Sequence, residues 1–249
     1  MLSGGTGKRH KPQSDDVLPK PFMKIKSSQA GESIMMIQKT WRVLADKFGP
    51  DRLFVVGNGN HESLLREHLD SDARLVLEPG GRDSFPAIAL AASYLAAHGE
   101  AEPEDTIVAL HADGQSDASF YDRIADLDFI VQNDIAPLGL IGVTPEYPAE
   151  NDGYIVPMPT TAELAYRFVQ RFHEQQDPPL ETDLIGRGAL RNAGVFAFRL
   201  RYLEEIVTRL RLPWAYSSLL EQYGMLPENS FEHMVVQPEK EAVCVAHLP

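Results

Sequence analysis

Short apolar runs alternate with amphipathic helical stretches through the first half of the chain, and this alternation restricts the fold more than any other feature. The runs cover residues 53–56, 74–77, 106–110 and 138–143, and each has the length of a strand buried on both faces. Such alternation predicts right-handed crossovers and a mostly parallel sheet with helices on both faces. Ligands of such sheets bind at the carboxyl ends of the strands, so the loops after these runs form the candidate site.

Helices are predicted between the runs from the spacing of apolar residues. One covers residues 34–48 and another residues 115–132. A third begins after Asp83-Ser84, has Pro86 in its first turn and stops near Gly99, which is the expected order of cap, early proline and terminal glycine.

The second half of the chain is less regular. Residues 194–198 and 242–246 predict strands, whereas residues 202–212 and 213–223 predict helices. Residues 160–176 also have helical spacing.

Length and charge exclude several classes of protein. The chain has 249 residues, which fits one large domain, and we assign residues 1–249 to it. The formal net charge of −13 argues against a general nucleic-acid binder, because such proteins need a basic surface. The single cysteine, Cys244, excludes an intramolecular disulfide and a Cys-based zinc site. No apolar run reaches the roughly 18 residues of a membrane span and the start is unlike a signal peptide, so we expect a cytoplasmic protein.

A glycine-rich segment stands near the start of the sequence. Residues 3–9 are Ser-Gly-Gly-Thr-Gly-Lys-Arg, and Lys20 adds a further basic residue. Glycines let backbone N–H groups approach a phosphate, because no Cβ intervenes. The spacing fits neither the G-x-x-x-x-G-K-[ST] phosphate loop nor the G-x-G-x-x-G dinucleotide fingerprint. Taken alone, the segment is equally compatible with a phosphate-binding loop and with a flexible N-terminal loop.

Charged residues follow two of the predicted strands. Glu78 can accept hydrogen bonds from a ligand and Arg82 can fix the loop or a phosphate. The residues also fit a β–α turn in which Asp83 or Ser84 caps the next helix, and both interpretations can hold together. Asp113 is suited to hold Mg²⁺, although an acidic residue at a strand end is also compatible with a solvated loop. His111 is either a ligand or a structural histidine.

The order of these segments resembles the sugar-phosphate nucleotidylyltransferases and is closest to their mannose-1-phosphate guanylyltransferase branch. Residues 2–14 resemble L-[AS]-G-G-x-G-x-R-[LM]-x-P-x-[ST], followed by P-K at residues 19–20. Residues 77–89 resemble E-P-x-x-R-[ND]-[ST]-A-P-A-I-A, and residues 107–113 resemble V-L-P-A-D. Further partial matches cover residues 141–155, 172–177, 191–198 and 230–237.

The resemblance implies both a fold and a reaction. The fold is the nucleotide-diphospho-sugar transferase fold, a Rossmann-like three-layer α/β/α domain with a mixed, mostly parallel sheet. The reaction transfers a nucleotidyl group from GTP to a sugar 1-phosphate, for which mannose 1-phosphate is expected, and gives a GDP-sugar and pyrophosphate. The implied partners are GTP and the sugar 1-phosphate, with no nucleic acid and no membrane, and a homo-oligomer is left open.

The resemblance also carries roles onto single residues. Arg9 and Lys20 stabilise charge during transfer, and Asp113 holds Mg²⁺. The nucleotide-binding residues are Ser3, Gly4, Gly5, Thr6, Gly7, Glu78, Pro79, Arg82 and Asp83, and the sugar-binding residues are Gly153, Glu174 and Asn192.

Several positions depart from the family pattern. Gln175 replaces a lysine that meets the sugar phosphate, a loss of about 1–3 kcal/mol if the contact is otherwise made. Asn151 and Asp152 alter the sugar loop, and Phe85 replaces a small residue, which we expect to reshape the pocket wall. The resemblance also favours a strand over residues 166–174, against the helical spacing.

Two alternatives stay open. One is a catalytically weak or regulatory paralogue that binds nucleotide or nucleotide-sugar, and the other is an active enzyme with another NTP and sugar pair. In the family, a first strand precedes the matched region, and a W-x-D-x-G segment with a second metal aspartate and a β-helix domain follow it. We therefore expect either a fragment trimmed at both ends or a divergent relative.

Overall fold

The computed structural model describes residues 1–4, 19–26, 33–112, 118–145, 153–159, 165–173, 178–239 and 243–247. The strands are β1 (Lys24–Lys26), β2 (Ser33–Met35), β3 (Phe54–Asn58), β4 (Arg74–Glu78), β5 (Thr106–Leu110), β6 (Leu138–Val143), β7 (Tyr154–Pro157), β8 (Tyr166–His173), β9 (Leu190–Arg199) and β10 (Val243–His247). The α-helices are α1 (Met36–Phe48), α2 (Glu62–His68), α3 (Ser84–Ala97), α4 (Ala118–Gln132), α5 (Pro178–Gly186), α6 (Leu200–Arg209) and α7 (Tyr216–Glu221). Short 3₁₀ turns cover Lys20–Phe22, Pro50–Arg52, Gly59–His61 and Tyr223–Met225, and a π-helical turn covers Glu232–Val236.

The first residues of the chain join two groups of strands. β3 and β4 pair in parallel, and the other group has the order β5-β9-β6-β10-β8-β7. Leu2 lies between the groups, where it bridges Val56 of β3 and His111 just after β5, both in parallel. Its backbone N donates to Leu110 O at 2.7 Å. The N-terminal residues therefore act as a short central strand.

The parallel pairing is concentrated in the first half of this mixed sheet. β3, β4, the N-terminal residues and β5 run in one direction, and β10 also runs parallel to β6. β9 enters between β5 and β6 in the opposite direction, and β7 and β8 pair antiparallel. The predicted mixed α/β sheet is confirmed. Parallel strands predominate only in its first half, because β9 runs antiparallel to β5 and β6.

Helices cover both faces of the sheet. On β9, Phe196 and Phe198 pack into one core cluster together with α3 and α6. Val195 and Ala197, which alternate with them, pack into a second cluster with α1 and α4. This alternation is the side-chain period of a strand, so the described residues form the predicted three-layer arrangement.

Most predicted elements are confirmed, and two are corrected in detail. The helix predicted from residue 34 begins at Met36, because Ser33–Met35 pairs with β1 instead. The segment with helical spacing contains β8, the strand that the resemblance favours. Phe168 on β8 is 40% exposed, so the helical spacing did not mark a buried face. Pairing with β7 and β10 outweighs the local pattern.

The expectation that Phe85 reshapes an open pocket wall is wrong. Its side chain is 0% exposed and lies in the core cluster that includes Phe196 and Phe198. The position therefore affects packing beneath α3. Within the described ranges, each helix is too short or too polar to cross a lipid bilayer.

Candidate functional site

The chemistry-bearing segments meet at one edge of the sheet. β3, β4 and β5 end at this edge, with Asn58, Glu78 and Leu110 as their last residues. β9 runs in the opposite direction and pairs Val195 with Leu110, so its first residues, including Asn192, lie at the same edge. The nucleotide and sugar segments identified in the sequence are therefore neighbours.

The start of the glycine-rich segment lies against the end of β4. An ideal Cβ placed on Gly4 would lie 2.6 Å from Glu78 Oε1, a distance that Cβ atoms essentially never show. Ser3 is buried, and its hydroxyl and its backbone N each donate to Val56 O at 2.8 Å. These contacts bring the carboxylate of Glu78 directly against the backbone of the glycine-rich segment.

The carboxylate of Glu78 is buried and hydrogen-bonded. Its side chain is 3% exposed, and its Oε2 accepts a hydrogen bond from the Tyr223 hydroxyl at 2.6 Å. Burial raises the pKa of Glu78 above its ordinary value of 4.5, the bond from Tyr223 lowers it, and the nearby charge of Asp83 raises it. Burial, and then the negative charge of Glu78, raise the pKa of Tyr223. Sequence reasoning missed Tyr223, because it lies in a helical stretch without a recognised motif.

The loop between β4 and α3 has a strained end. Asp83 has φ 70° and ψ −176°, and its Oδ1 accepts a hydrogen bond from Ser84 N at 2.7 Å, so Asp83 is the one of the two predicted residues that caps the helix. Arg82 Nε donates to Leu226 O at 2.9 Å, so the side chain fixes the loop to a distant part of the chain. Pro79 follows Glu78 directly and is exposed.

Residues 223–231, which we call the bracing segment, hold this loop from one side. Besides the bonds from Tyr223 and to Leu226, Phe85 N donates to Asn229 O at 3.2 Å. Phe231 N donates to Ser84 Oγ at 2.9 Å. Four hydrogen bonds therefore connect the bracing segment with the end of β4, the loop and the start of α3.

Two of the residues predicted to bind the sugar, Gly153 and Asn192, contact each other at the start of β9. Asn192 N donates to Gly153 O at 2.8 Å. The side-chain amide of Asn192 donates from Nδ2 to Glu232 Oε1 at 3.1 Å and accepts at Oδ1 from Gly194 N at 3.2 Å. An ideal Cβ on Gly153 would lie 2.8 Å from Phe172 Cζ, so glycine is needed for this approach. The amide is therefore oriented at both ends.

Two basic side chains belong to the same edge. An ideal Cβ on Gly194, which has φ 66°, would lie 2.8 Å from Cδ2 of the His111 ring. Lys20 begins the 3₁₀ turn that contains Phe22, whose ring is buried 6.5 Å from the ring of His61 in the turn after β3. His111 therefore packs against the start of β9, and the turn that begins with Lys20 packs near the carboxyl end of β3.

Several of the predicted site residues lie outside the described residues: Gly5, Thr6, Gly7, Arg9, Asp113 and Glu174. Gln175 also lies outside them. Within the part of the chain that the structure describes, no group of three or more His, Cys, Asp or Glu side chains could hold a metal ion. The assignment of Mg²⁺ to Asp113 therefore stays a prediction.

Known proteins share this sequence pattern. The family model for nucleotidyl transferases matches residues 1–220. The mannose-1-phosphate guanylyltransferase of Escherichia coli is 30% identical over 215 residues, which cover 83% of this chain and 44% of that protein. The mannose-1-phosphate guanylyltransferase RfbM of Salmonella typhimurium is 29% identical over 268 residues, or 98% of this chain and 54% of that protein. The chain thus spans about half the length of these curated relatives.

Solved structures share the fold. A structure described as mannose-1-phosphate geranyltransferase from Thermus thermophilus is 28% identical to this chain, with a TM-score of 0.79. The match covers 99% of this chain and 72% of that one. A CTP:phosphocholine cytidylyltransferase from Streptococcus pneumoniae, at 16% identity and a TM-score of 0.53, shows a likeness of fold alone. The predicted nucleotide-diphospho-sugar transferase fold is confirmed. Because the family model matches most of the sequence, the chain belongs to the nucleotidyl transferase family.

Proposed function

We propose that the chain transfers the guanylyl group of GTP to a sugar 1-phosphate, giving a GDP-sugar and pyrophosphate, with mannose 1-phosphate as the sugar. The observation that carries this proposal is the contact between Gly4 and the buried carboxylate of Glu78 at the carboxyl edge of the sheet. Relatives that are mannose-1-phosphate guanylyltransferases support the choice of substrates.

The proposed reaction needs no general base. A phosphate oxygen of the sugar 1-phosphate, already ionised, attacks the α-phosphorus of GTP. The new O–P bond forms as the bond from the α-phosphorus to the bridging oxygen breaks, and pyrophosphate leaves in line. Catalysis then depends on positioning and on stabilising the negative charge that redistributes during transfer. We assign charge stabilisation to Arg9 and Lys20.

We assign nucleotide binding to two neighbouring segments. Backbone N–H groups of residues 4–7 bind the phosphates, and Glu78 with Pro79, Arg82 and Asp83 binds the base and ribose. Ser3 serves this loop as an anchor, because its own N–H and hydroxyl both donate to Val56 O. The hydrogen bond from Tyr223 to one carboxylate oxygen of Glu78 supports the base assignment, because the second oxygen is held in a defined direction. A carboxylate accepts hydrogen bonds and suits the N–H donors at the guanine edge.

We assign the sugar to Gly153, Glu174 and Asn192. The support comes from the amide of Asn192, which the bonds with Glu232 and Gly194 orient. An amide makes up to four hydrogen bonds, so this group keeps one N–H and one lone pair for a sugar hydroxyl.

Mg²⁺ bound by Asp113 completes the proposed site. When bound, the ion supplies positive charge to the phosphate oxygens of the nucleotide. The assignment is supported by Ala112, which directly precedes Asp113 in the sequence and donates from its backbone N to Leu2 O at 2.8 Å. We place the reaction in the cytoplasm, without nucleic-acid or membrane partners, in keeping with the net charge and the single cysteine.

Pyrophosphate release tests the proposed function. GTP, ATP and UTP are each combined with mannose 1-phosphate or glucose 1-phosphate, with and without Mg²⁺. We expect release with GTP, mannose 1-phosphate and Mg²⁺, and its loss in Arg9→Ala and Asp113→Ala without a change in the circular dichroism spectrum. The control variants Arg52→Ala and Asp51→Ala, exposed at the opposite end of β3, retain activity.

Two results would contradict this proposal. Release with none of the substrate pairs contradicts the enzyme assignment, and turnover in either site variant contradicts the role of that residue. Nucleotide binding without turnover would favour the regulatory paralogue, for which the replacement of a family lysine by Gln175 is the specific observation.

A further inference from the structure

A buried tyrosine contacts the carboxylate that we assign to base recognition. Tyr223 lies 145 positions after Glu78 and donates from its hydroxyl to Glu78 Oε2 at 2.6 Å. The two side chains are 1% and 3% exposed. A distance this short between a hydroxyl and a carboxylate is that of a strong, charge-assisted hydrogen bond.

The hydroxyl of Tyr223 opposes the effect of burial on Glu78. Burial disfavours the charged carboxylate and raises its pKa, and the charge of Asp83 acts in the same direction. The hydrogen bond from Tyr223 lowers the pKa of Glu78. Burial and the charge of Glu78 raise the pKa of Tyr223, so the tyrosine keeps the proton that it donates. Tyr223 therefore favours the form of Glu78 that accepts hydrogen bonds.

The same bond also determines which carboxylate oxygen can meet a ligand. Oε2 is occupied by the hydroxyl, while Oε1 lies on the side of Gly4, where an ideal Cβ would approach it to 2.6 Å. The bond from Tyr223 fixes the plane of the carboxylate and thereby the direction of the oxygen that remains.

Other contacts hold the tyrosine ring in place without its hydroxyl. The bracing segment is attached to the loop through Arg82 and Leu226 and through Phe85 and Asn229. The ring itself is part of the large core cluster. A phenylalanine at this position keeps those contacts, so the hydroxyl can be removed without moving the segment.

We propose that Tyr223 is a positioning residue for guanine recognition, which presents Oε1 of Glu78 as an oriented, ionised acceptor and thereby sets the preference for guanine over adenine. This inference rests on the proposed function and assigns the preference of the site for guanine to one further residue. Guanine offers N–H donors at N1 and N2, whereas N1 of adenine is an acceptor that an ionised carboxylate repels. A site built to pair with a donor strongly rejects a ligand that lacks it, because its buried polar group is left unpaired.

The variant Tyr223→Phe tests the inference through the binding of GTP and ATP, measured by isothermal titration calorimetry from acid to neutral pH. We expect the Kd for GTP to rise at least about tenfold, as for a lost charge-assisted bond, while the Kd for ATP changes much less. GTP binding requires ionised Glu78 and is lost as the pH falls through its pKa. Removing the bond raises that pKa further, so the loss moves to higher pH in the variant.

A control tyrosine and a double variant separate positioning from packing. Tyr202→Phe, on α6, removes a buried hydroxyl that has no hydrogen-bond partner among the described residues, so both Kd values stay unchanged. Glu78→Gln removes the charge, and Tyr223→Phe added to it should weaken GTP binding by much less than in the wild-type chain, because the two residues act as a unit.

The outcomes are distinct. An equal loss of GTP and ATP affinity in Tyr223→Phe overturns the inference, since the tyrosine then supports only the shape of the site. An unchanged GTP affinity with an unchanged pH dependence overturns it too. A wild-type chain that binds neither nucleotide overturns the proposed function itself and, with it, this inference.

Discussion

At the scale of single residues, two positions near the site require glycine, because neighbouring side chains leave no room for a Cβ. Glycine at position 4 leaves room for the carboxylate of Glu78, and glycine at position 57 leaves room for Leu65 Cδ1 and Ser3 Oγ, at 2.7 and 2.8 Å from an ideal Cβ. These contacts hold the start of the glycine-rich segment on β3 and β4. The glycine pattern predicts a phosphate loop, and its first glycine also accommodates a buried acid.

Gly4→Ala should weaken GTP binding about tenfold, because an added methyl group in a tight site costs on the order of 1–3 kcal/mol. Glu78 cannot move away freely, since Tyr223 holds its other oxygen. The matched control is Gly80→Ala in the loop after Glu78, where an ideal Cβ meets nothing within 4 Å. Titration calorimetry measures both, and wild-type affinity in Gly4→Ala would show that the clash is relieved.

Asn192→Asp should raise the KM for the sugar 1-phosphate about tenfold with a smaller change in kcat, because a hydrogen-bond donor is lost from a ground-state contact. The new carboxylate would also lie beside Glu232, to which the amide now donates. Steady-state kinetics measure the change, with Asn133→Asp at the exposed end of α4 as control. The double variant with Glu232→Gln should regain part of the affinity, and no recovery would contradict charge repulsion as the cause.

At the scale of elements, a helix cap can be predicted from the sequence, whereas the pairing of a strand often cannot. The start of α3 was predictable, because Asp83, Pro86 and a terminal glycine follow local rules. The helical spacing around β8 was misleading, because pairing with β7 and β10 depends on residues far away in the chain. The role of the bracing segment likewise depends on bonds to a loop that precedes it by more than a hundred residues.

The start of α3 combines a useful cap with an unfavourable backbone. Asp83 has φ 70° and ψ −176°, a region that residues other than glycine adopt at a cost of about 1–3 kcal/mol. Asp83→Ala loses the cap and keeps the strain, whereas Asp83→Gly loses the cap and releases the strain. We expect the glycine variant to be the more stable by about 1 kcal/mol in urea unfolding. An alanine variant of equal or higher stability would contradict strain at this position.

At the scale of the whole molecule, one sheet carries both halves of the site. Leu2 joins the parallel strands to the larger group, and the reversed direction of β9 brings Asn192 to the edge where β4 ends with Glu78. The buried charge of Glu78 is the energetic cost of this arrangement, because desolvation penalises an ionised carboxylate.

The stability of the fold should therefore depend on pH through Glu78. Its pKa is raised in the folded state, so its favourable contribution is fully present below the ordinary value of 4.5 and is lost as the pH rises through the folded-state pKa. Glu78→Gln lacks this loss while its amide oxygen still accepts from Tyr223. We expect the free energy of unfolding of Glu78→Gln, relative to the wild type, to increase with pH above 4.5. Urea titrations at several pH values measure it, and a difference independent of pH would contradict the buried charge.

The sequence by itself determined the α/β class, the main strands and helices of the first half and the segments that carry the chemistry. These properties depend on local spacing, on caps and on short motifs, all of which neighbouring residues specify. Only the tertiary structure decided that Tyr223 contacts Glu78, that Glu232 orients Asn192 and that Phe85 lies in the core. Such pairs join residues up to 145 positions apart, and strand order and packing bring them together, which no local pattern specifies.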